Sequence, residues 1–149
     1  MGWTLNSAPP PKGSGRNWRD FVNLKAMNIL LWDPYNHKLT DGHIRLDTGE
    51  KMFGQCASES AKVGKPWGIA EFGTPIGPGW PCSIEEVADW FRKLAVFARA
   101  PGKDPVTGLS RQPAKYVCYW NDEAKGRNYR LEDYRPLQEA WAAEVRKKA

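Results

Sequence analysis

A chain of 149 residues with 41% hydrophobic and 26% charged side chains has the size and composition of a single globular domain. Its net charge of +5 comes largely from the basic end, Arg146, Lys147 and Lys148, while elsewhere Lys and Arg are mixed with Asp and Glu, so we expect no nucleic acid partner. No basic-then-apolar leader opens the sequence and no apolar run is long enough to cross a bilayer. We therefore predict no membrane contact and a cytoplasmic location, or secretion if an upstream part has been lost.

The cysteines and histidines predict neither a metal site nor a disulfide framework. Cys56, Cys82 and Cys118 are odd in number and lack C-x-x-C spacing. His37 and His43 lie in a turn-like stretch and are interpreted as loop residues. No glycine-rich phosphate loop of the G-x-G-x-x-G or Walker type is present, which lowers the expectation of a nucleotide ligand. We predict no metal and no cofactor.

The eight tryptophans are more than a chain of this length is expected to contain. Most tryptophans in folded proteins fill the core, and this is the first interpretation for each of them. Flat indole faces also stack on the apolar faces of sugar rings. The excess therefore also favours a carbohydrate site.

Strand-like and helix-like segments alternate in the first half of the chain. The first two predicted strands are Gly2–Ser7 and Asn28–Asp33, and the second is a continuous apolar run of the kind buried on both faces of a parallel sheet. A helix is predicted between Glu50 and Val63. Gly64 follows it at the position where a left-handed helix terminus favours glycine. The third predicted strand is Trp67–Gly73.

The same alternation continues in the second half. Ser83 and Glu86 have the spacing of a capping box at the start of the clearest helix, whose apolar residues recur at helical spacing. The fourth predicted strand is Lys115–Asn121, and the last helix begins near Pro136. Such alternation predicts an α/β fold of parallel βα units, either a small open sheet or part of a (βα) barrel.

Polar side chains cluster where the predicted strands end. Asp33 closes the second strand, Glu71 lies near the end of the third, and Trp120 and Asn121 close the fourth. The C-terminal ends of parallel strands line the ligand site in α/β folds, and a buried ionisable group needs a partner or a task. We predict a site at this edge. The alternatives are an ion-paired Glu71 and an Asp33 that only opens a turn.

Strict two-residue alternation assigns these side chains to the two faces of the sheet. On the third strand it groups Glu71 with Trp67 and Ile69, and it places Phe72 on the opposite face. If Glu71 points inward, Trp120 of the neighbouring strand lies beside it.

The segment KPWGIAEFGTP, residues 65–75, resembles the seventh strand of clan A glycoside hydrolases, and its nearest match is to family 26-like (mannanase-like) proteins. In that family a strand ending in Glu-aromatic-Gly presents the catalytic nucleophile. Trp32–Asn36 and Tyr119–Asn121 resemble the ends of the sixth and eighth strands, and Gly2–Leu5 corresponds to the fifth. The resemblance implies a partial (βα)8 TIM barrel of about strands 5 to 8 with their helices, with residues 1–149 as one domain.

The resemblance also implies a role for each matched residue. Glu71 corresponds to the nucleophile of a retaining glycosidase that acts on a β-linked polysaccharide. Asp33, Tyr35, Trp120 and Asn121 correspond to the residues that border the sugar. Retention further requires a second carboxylic acid about 5–5.5 Å away. The family carries that acid/base on its fourth strand, which we expect this sequence not to contain.

A half-barrel leaves two open edges and an exposed apolar face, on which we expect Ile29, Leu31, Ile69 and Cys118. The chain is therefore expected to pair with a second copy or with a complementing N-terminal half-barrel. Three functions stay open. They are a glycosidase completed by its missing half, a non-catalytic carbohydrate-binding or assembly protein derived from a truncated barrel, and an unrelated small α/β protein in which Glu71 forms a structural ion pair.

Overall fold

The computed structural model describes residues 2–6, 19, 23–34, 46–77, 80–103, 108–124 and 127–147. Its elements are β1 Gly2–Asn6, β2 Ile29–Asp33, α1 Gly49–Lys62, β3 Trp67–Phe72, α2 Ile84–Arg99, β4 Gly102–Lys103, β5 Ser110–Arg111, β6 Val117–Tyr119, β7 Glu123–Ala124, β8 Arg127–Asn128 and α3 Arg135–Val145, with a 3₁₀ helix at Leu131–Asp133. The four predicted strands are confirmed as β1, β2, β3 and β6. The two short hairpins, β4–β5 and β7–β8, are not predicted because two-residue strands carry no periodic signal.

The four predicted strands form one parallel sheet in the order β1-β2-β3-β6. Parallel neighbours need a crossover connection, and α1 supplies it between β2 and β3 while α2 supplies it between β3 and β6. The predicted α/β class with a parallel sheet is confirmed. Within the described residues the sheet does not close into a barrel.

The helices begin and end at the residues that their sequence signals indicate. The Thr48 hydroxyl accepts a hydrogen bond from the Lys51 N–H at 3.4 Å at the start of α1. Ser83 and Glu86 form the predicted capping box, with reciprocal bonds of 3.1 and 2.7 Å. Gly64 has a φ of 65°, as its place after α1 requires. None of the helices in the described part of the chain combines the length and apolarity that crossing a bilayer requires.

In the described part of the chain, the three α-helices pack on one face of the sheet around Phe72, which is 0% exposed. Its ring lies 5.3–5.7 Å from the nearest rings of each helix, namely Phe53 of α1, Trp90 of α2 and Trp141 of α3. Aromatic pairs at these separations and tilted angles add to the stability that burial gives. Because one strand residue contacts all three helices, the helices cover the same face of the sheet.

The alternation of β2 distinguishes the two faces. Trp32 is 3% exposed, and its indole N–H donates a hydrogen bond of 3.1 Å to the Ser60 hydroxyl of α1, so this side of β2 is covered by helix. Ile29, Leu31 and Asp33 alternate with it and are half-buried. They lie on the opposite side, which no helix of the described residues covers and which we call the open face.

A β-bulge in β3 changes the face assignment that strict alternation predicts. Ile69 pairs with Val117 and Phe72 with Tyr119, so β3 contains one more residue than β6 between these pairs. Ile69 and Phe72 are both 0% exposed on the helix-covered face, while Glu71 between them is half-buried. The predicted grouping of Glu71 with Ile69 is therefore wrong. The placement of Ile69 on the exposed apolar face is also wrong, because Ile69 belongs to the core beneath the helices.

The tryptophans of β2, β3 and α2 fill the core, which is the first interpretation that the sequence gives for a tryptophan. Trp32, Trp67 and Trp90 are only 2–3% exposed. The indole N–H of each donates a hydrogen bond, to Ser60, to the Gln112 carbonyl and to the Asp47 carbonyl, respectively. Their rings are thus buried without leaving a polar atom unsatisfied.

Candidate functional site

Asp33 and Glu71 lie side by side at the C-terminal ends of neighbouring parallel strands. Asp33 is the last residue of β2 and Glu71 the last but one of β3, and the pairing of Trp32 with Ile69 brings these ends together. The backbone N–H of Glu71 donates a hydrogen bond to the Asp33 carboxylate. Both residues are half-buried. The structure therefore brings together the two carboxylates that the strand ends predict.

The surroundings of Asp33 favour its neutral form. Burial and then the charge of Glu71 raise the pKa of Asp33 from 3.8 to about 6, against the opposing effect of the hydrogen bond from the Glu71 backbone. A carboxyl group that titrates near neutral pH can both donate and accept a proton under physiological conditions. Within the described ranges, no group of three or more His, Cys, Asp and Glu side chains is arranged to hold a metal ion.

Asp33→Asn is expected to remove a pH-dependent loss of stability. Because folding raises the pKa of Asp33, the folded chain holds this proton more tightly than the unfolded chain, and the free energy of unfolding falls as pH rises from 3.8 to about 6. The carboxyl is partly screened by solvent, so we expect the variant to be more stable by about 1 kcal/mol at pH 8 and equal at pH 3. Urea denaturation at both pH values measures this, and an equal difference at both would contradict it.

Trp120 follows β6 at the same end of the sheet. Its backbone N–H donates a hydrogen bond of 2.9 Å to the Phe72 carbonyl, which continues the pairing of β6 with β3 next to Glu71. The side chain of Trp120 is half-buried. Tyr35, another predicted sugar contact, lies outside the described residues, as do His37 and His43. The roles of Trp120 and Tyr35 stay predictions.

The side chain of Asn121 is engaged locally. Its oxygen accepts a hydrogen bond from the Leu131 N–H at 2.7 Å, and its nitrogen donates one of 2.7 Å to the Glu132 carboxylate. Asn121 thus fixes the 3₁₀ helix against the end of β6. A sugar contact by Asn121 stays a prediction.

Thr74 is a site candidate that the sequence pattern does not single out. It follows β3, is 0% exposed, and its carbonyl accepts a hydrogen bond of 3.2 Å from the Tyr119 hydroxyl. Its own hydroxyl is buried and makes no hydrogen bond within the described part of the chain. A buried hydroxyl without a partner costs about 1–3 kcal/mol, so one close to Glu71 in sequence is a candidate ligand contact. In the sequence, the only indication that Thr74 belongs to the site is its polar side chain within an apolar segment rich in glycine and proline.

Comparison with known proteins identifies the fold. No protein-family model matches the sequence, and no curated protein matches it. Among solved structures, the chain is similar to the catalytic domain of the GH26 endo-beta-1,4-mannanase of Bacillus sp. JAMB-750, at 17% identity and a TM-score of 0.50. The similarity covers 98% of this chain, which spans only 37% of that mannanase chain. The chain is therefore similar in fold to part of that catalytic domain, and at this identity the likeness concerns the fold alone.

Proposed function

We propose that the chain is a glycoside hydrolase-like domain that carries the nucleophile half of a retaining site for a β-linked polysaccharide. The sheet is then an open section of a (βα)8 TIM barrel, in which β1, β2, β3 and β6 are the fifth to eighth strands and the open face is the interior. One observation carries the proposal. Asp33 and Glu71 lie together at the C-terminal edge of the parallel sheet, where α/β folds bind their ligands.

The proposed chemistry assigns a different task to each carboxyl group. Glu71 attacks the anomeric carbon, and a carboxylic acid about 5–5.5 Å away protonates the leaving oxygen. Asp33 receives a hydrogen bond from the Glu71 backbone, so it holds the end of β3 in place and is suited to orient Glu71 or a sugar hydroxyl. Trp120 and Tyr35 would offer aromatic faces to the sugar rings, and Asn121 would border the same pocket.

Assays on mannan, xylan and β-glucan test the proposed function. We expect the chain to release reducing sugar once a second copy or a complementing half-barrel supplies the acid/base. Glu71→Ala is expected to lower that rate at least about 1,000-fold, as the loss of a nucleophile does. Glu50→Ala removes an exposed carboxylate of α1 and is the matched control, with an unchanged rate expected. Circular dichroism of both variants checks that they fold. Turnover that survives Glu71→Ala would overturn the proposal.

A non-catalytic carbohydrate-binding protein is the second candidate. The hydrogen bond from the Glu71 backbone to Asp33 favours this candidate, because it holds the two residues side by side. Two adjacent carboxyl groups on one edge of the sheet also suit the hydroxyl groups of a bound sugar. In that case the same polysaccharides retard the chain in affinity electrophoresis without being cleaved, and Glu71→Ala weakens the retardation. If the chain neither binds nor cleaves these polysaccharides, the remaining interpretation is an unrelated α/β protein.

A further inference from the structure

The sheet has two outer strands that run in the same direction. Among the described residues, β1 and β6 are the edges of the parallel sheet. An edge strand presents N–H and C=O groups that another strand can pair with. Because every strand of the sheet is parallel, the β6 edge of one copy can pair in parallel with the β1 edge of another. If two copies instead paired β6 with β6 about a two-fold axis perpendicular to the strands, the two strands would be antiparallel.

The open face also presents apolar side chains, and no helix of the described residues covers them. Ile29 and Leu31 are half-buried there. Cys118 is exposed and alternates with Tyr119, whose ring packs against Phe91 on the helix-covered face. The three α-helices of the described residues lie on the other side of the sheet. Covering this face would remove apolar surface from water, which stabilises a complex in proportion to the area buried.

We infer that a second copy of the chain covers the open face, with β6 of each copy paired to β1 of the other. The two four-stranded sheets then close into one eight-stranded parallel barrel, with the helices of both copies outside. Eight strands is the number at which inward side chains fill a barrel interior. A two-fold axis along the barrel satisfies both edges of both copies at once, which no single edge-to-edge contact does.

Closure completes the site, and this part of the inference rests on the proposed function. The two-fold axis places β3 of one copy across the barrel from β3 of the other, so both Glu71 side chains reach the same mouth. A carboxylate oxygen of Glu71 in one copy bonds to the anomeric carbon, while a proton passes from the Glu71 carboxyl group of the second copy to the leaving oxygen as the glycosidic bond breaks. Water then cleaves the glycosyl ester and returns a proton to the second carboxylate, so that one water is consumed.

The mass of the full chain in solution tests the closure. Size-exclusion chromatography with light scattering is expected to give twice the chain mass of 16.9 kDa. Cys118→Lys puts an unpaired charge inside the closed barrel and is expected to weaken association at least about 10-fold. Val96→Lys, at a position 60% exposed on α2, is the control that keeps the dimer. A mass of one chain, or a dimer that Cys118→Lys does not weaken, would overturn the inference.

A disulfide between β6 of one copy and β1 of the other distinguishes this dimer from dimers that pair other surfaces. In a Cys82→Ser background, Thr4→Cys supplies a cysteine in β1 at the register position beside Leu31, and Asn6→Cys supplies one beside Asp33. We expect oxidation to link one of these to Cys118 of the second copy, giving a covalent dimer on a non-reducing gel. No link in either variant would overturn the inference. A linked dimer that cleaves none of the polysaccharides would overturn the proposed function and the completion of the site that rests on it, but not the closure of the barrel.

Discussion

Phe72→Ala is expected to lower the free energy of unfolding by about 3–5 kcal/mol, the cost of removing a buried aromatic ring and leaving a cavity. Phe72 is 0% exposed, and its ring packs against rings from all three helices. The loss should therefore loosen each helix from the sheet at the same time. Because typical domains are stable by only about 5–15 kcal/mol, we expect a large fall in the urea midpoint.

The matched control is Val96→Ala, a truncation on the outer surface of α2. Val96 is 60% exposed, so the change should alter the free energy of unfolding by no more than about 0.5 kcal/mol. Urea denaturation followed by tryptophan fluorescence and by circular dichroism measures both variants. Equal small effects for the two would mean that Phe72 is not the common contact of the three helices.

Arg99→Met is expected to cost about 2–3 kcal/mol because it takes one of two cationic partners from a buried carboxylate. The Glu144 side chain is 3% exposed. Its carboxylate accepts a hydrogen bond of 2.7 Å from Arg99 and one of 2.6 Å from Lys147, and its carbonyl accepts another of 3.0 Å from Arg99. These bonds join the ends of α2 and α3, so the variant should also destabilise the packing of α3.

The pH dependence of the same variant gives a second test. Burial opposes the ionisation of Glu144, but hydrogen bonds from Lys147 and Arg99 outweigh it and lower the pKa of Glu144 below 4.5. The pairing therefore stabilises the fold above that pH and is lost as pH falls through the folded-state pKa. The difference between Arg99→Met and the native chain should shrink at pH 3, and a constant difference would contradict this account.

The control for Arg99 is Arg135→Met on α3. Arg135 pairs with Glu139 at 2.8 Å, but these side chains are 86% and 64% exposed. An exposed ion pair of this kind contributes no more than about 0.5 kcal/mol. The comparison separates the effect of burial from that of charge, because both variants remove an arginine from a salt bridge.

The amino-acid sequence by itself determined the four strands of the parallel sheet, the three α-helices of the described residues, and their order. The apolar run of β2, the capping box at Ser83 and the glycine at position 64 act over a few residues, so they can be interpreted without knowing the fold. The same local signals put Asp33 and Glu71 at strand ends. Parallel pairing, expected from the alternation of strands and helices, then predicted that the two would meet at one edge.

Only the tertiary structure decided which face of the sheet each of these side chains occupies. The bulge in β3 depends on how that strand pairs with β6, and it separates Glu71 from Ile69 although strict alternation groups them. The raised pKa of Asp33 likewise depends on burial and on the charge of Glu71 from another strand. Asn121 shows the same limit, because its partners at Leu131 and Glu132 are brought to it by a hairpin with no sequence signal. Pairing register and burial are properties of the assembled sheet, and no single segment encodes them.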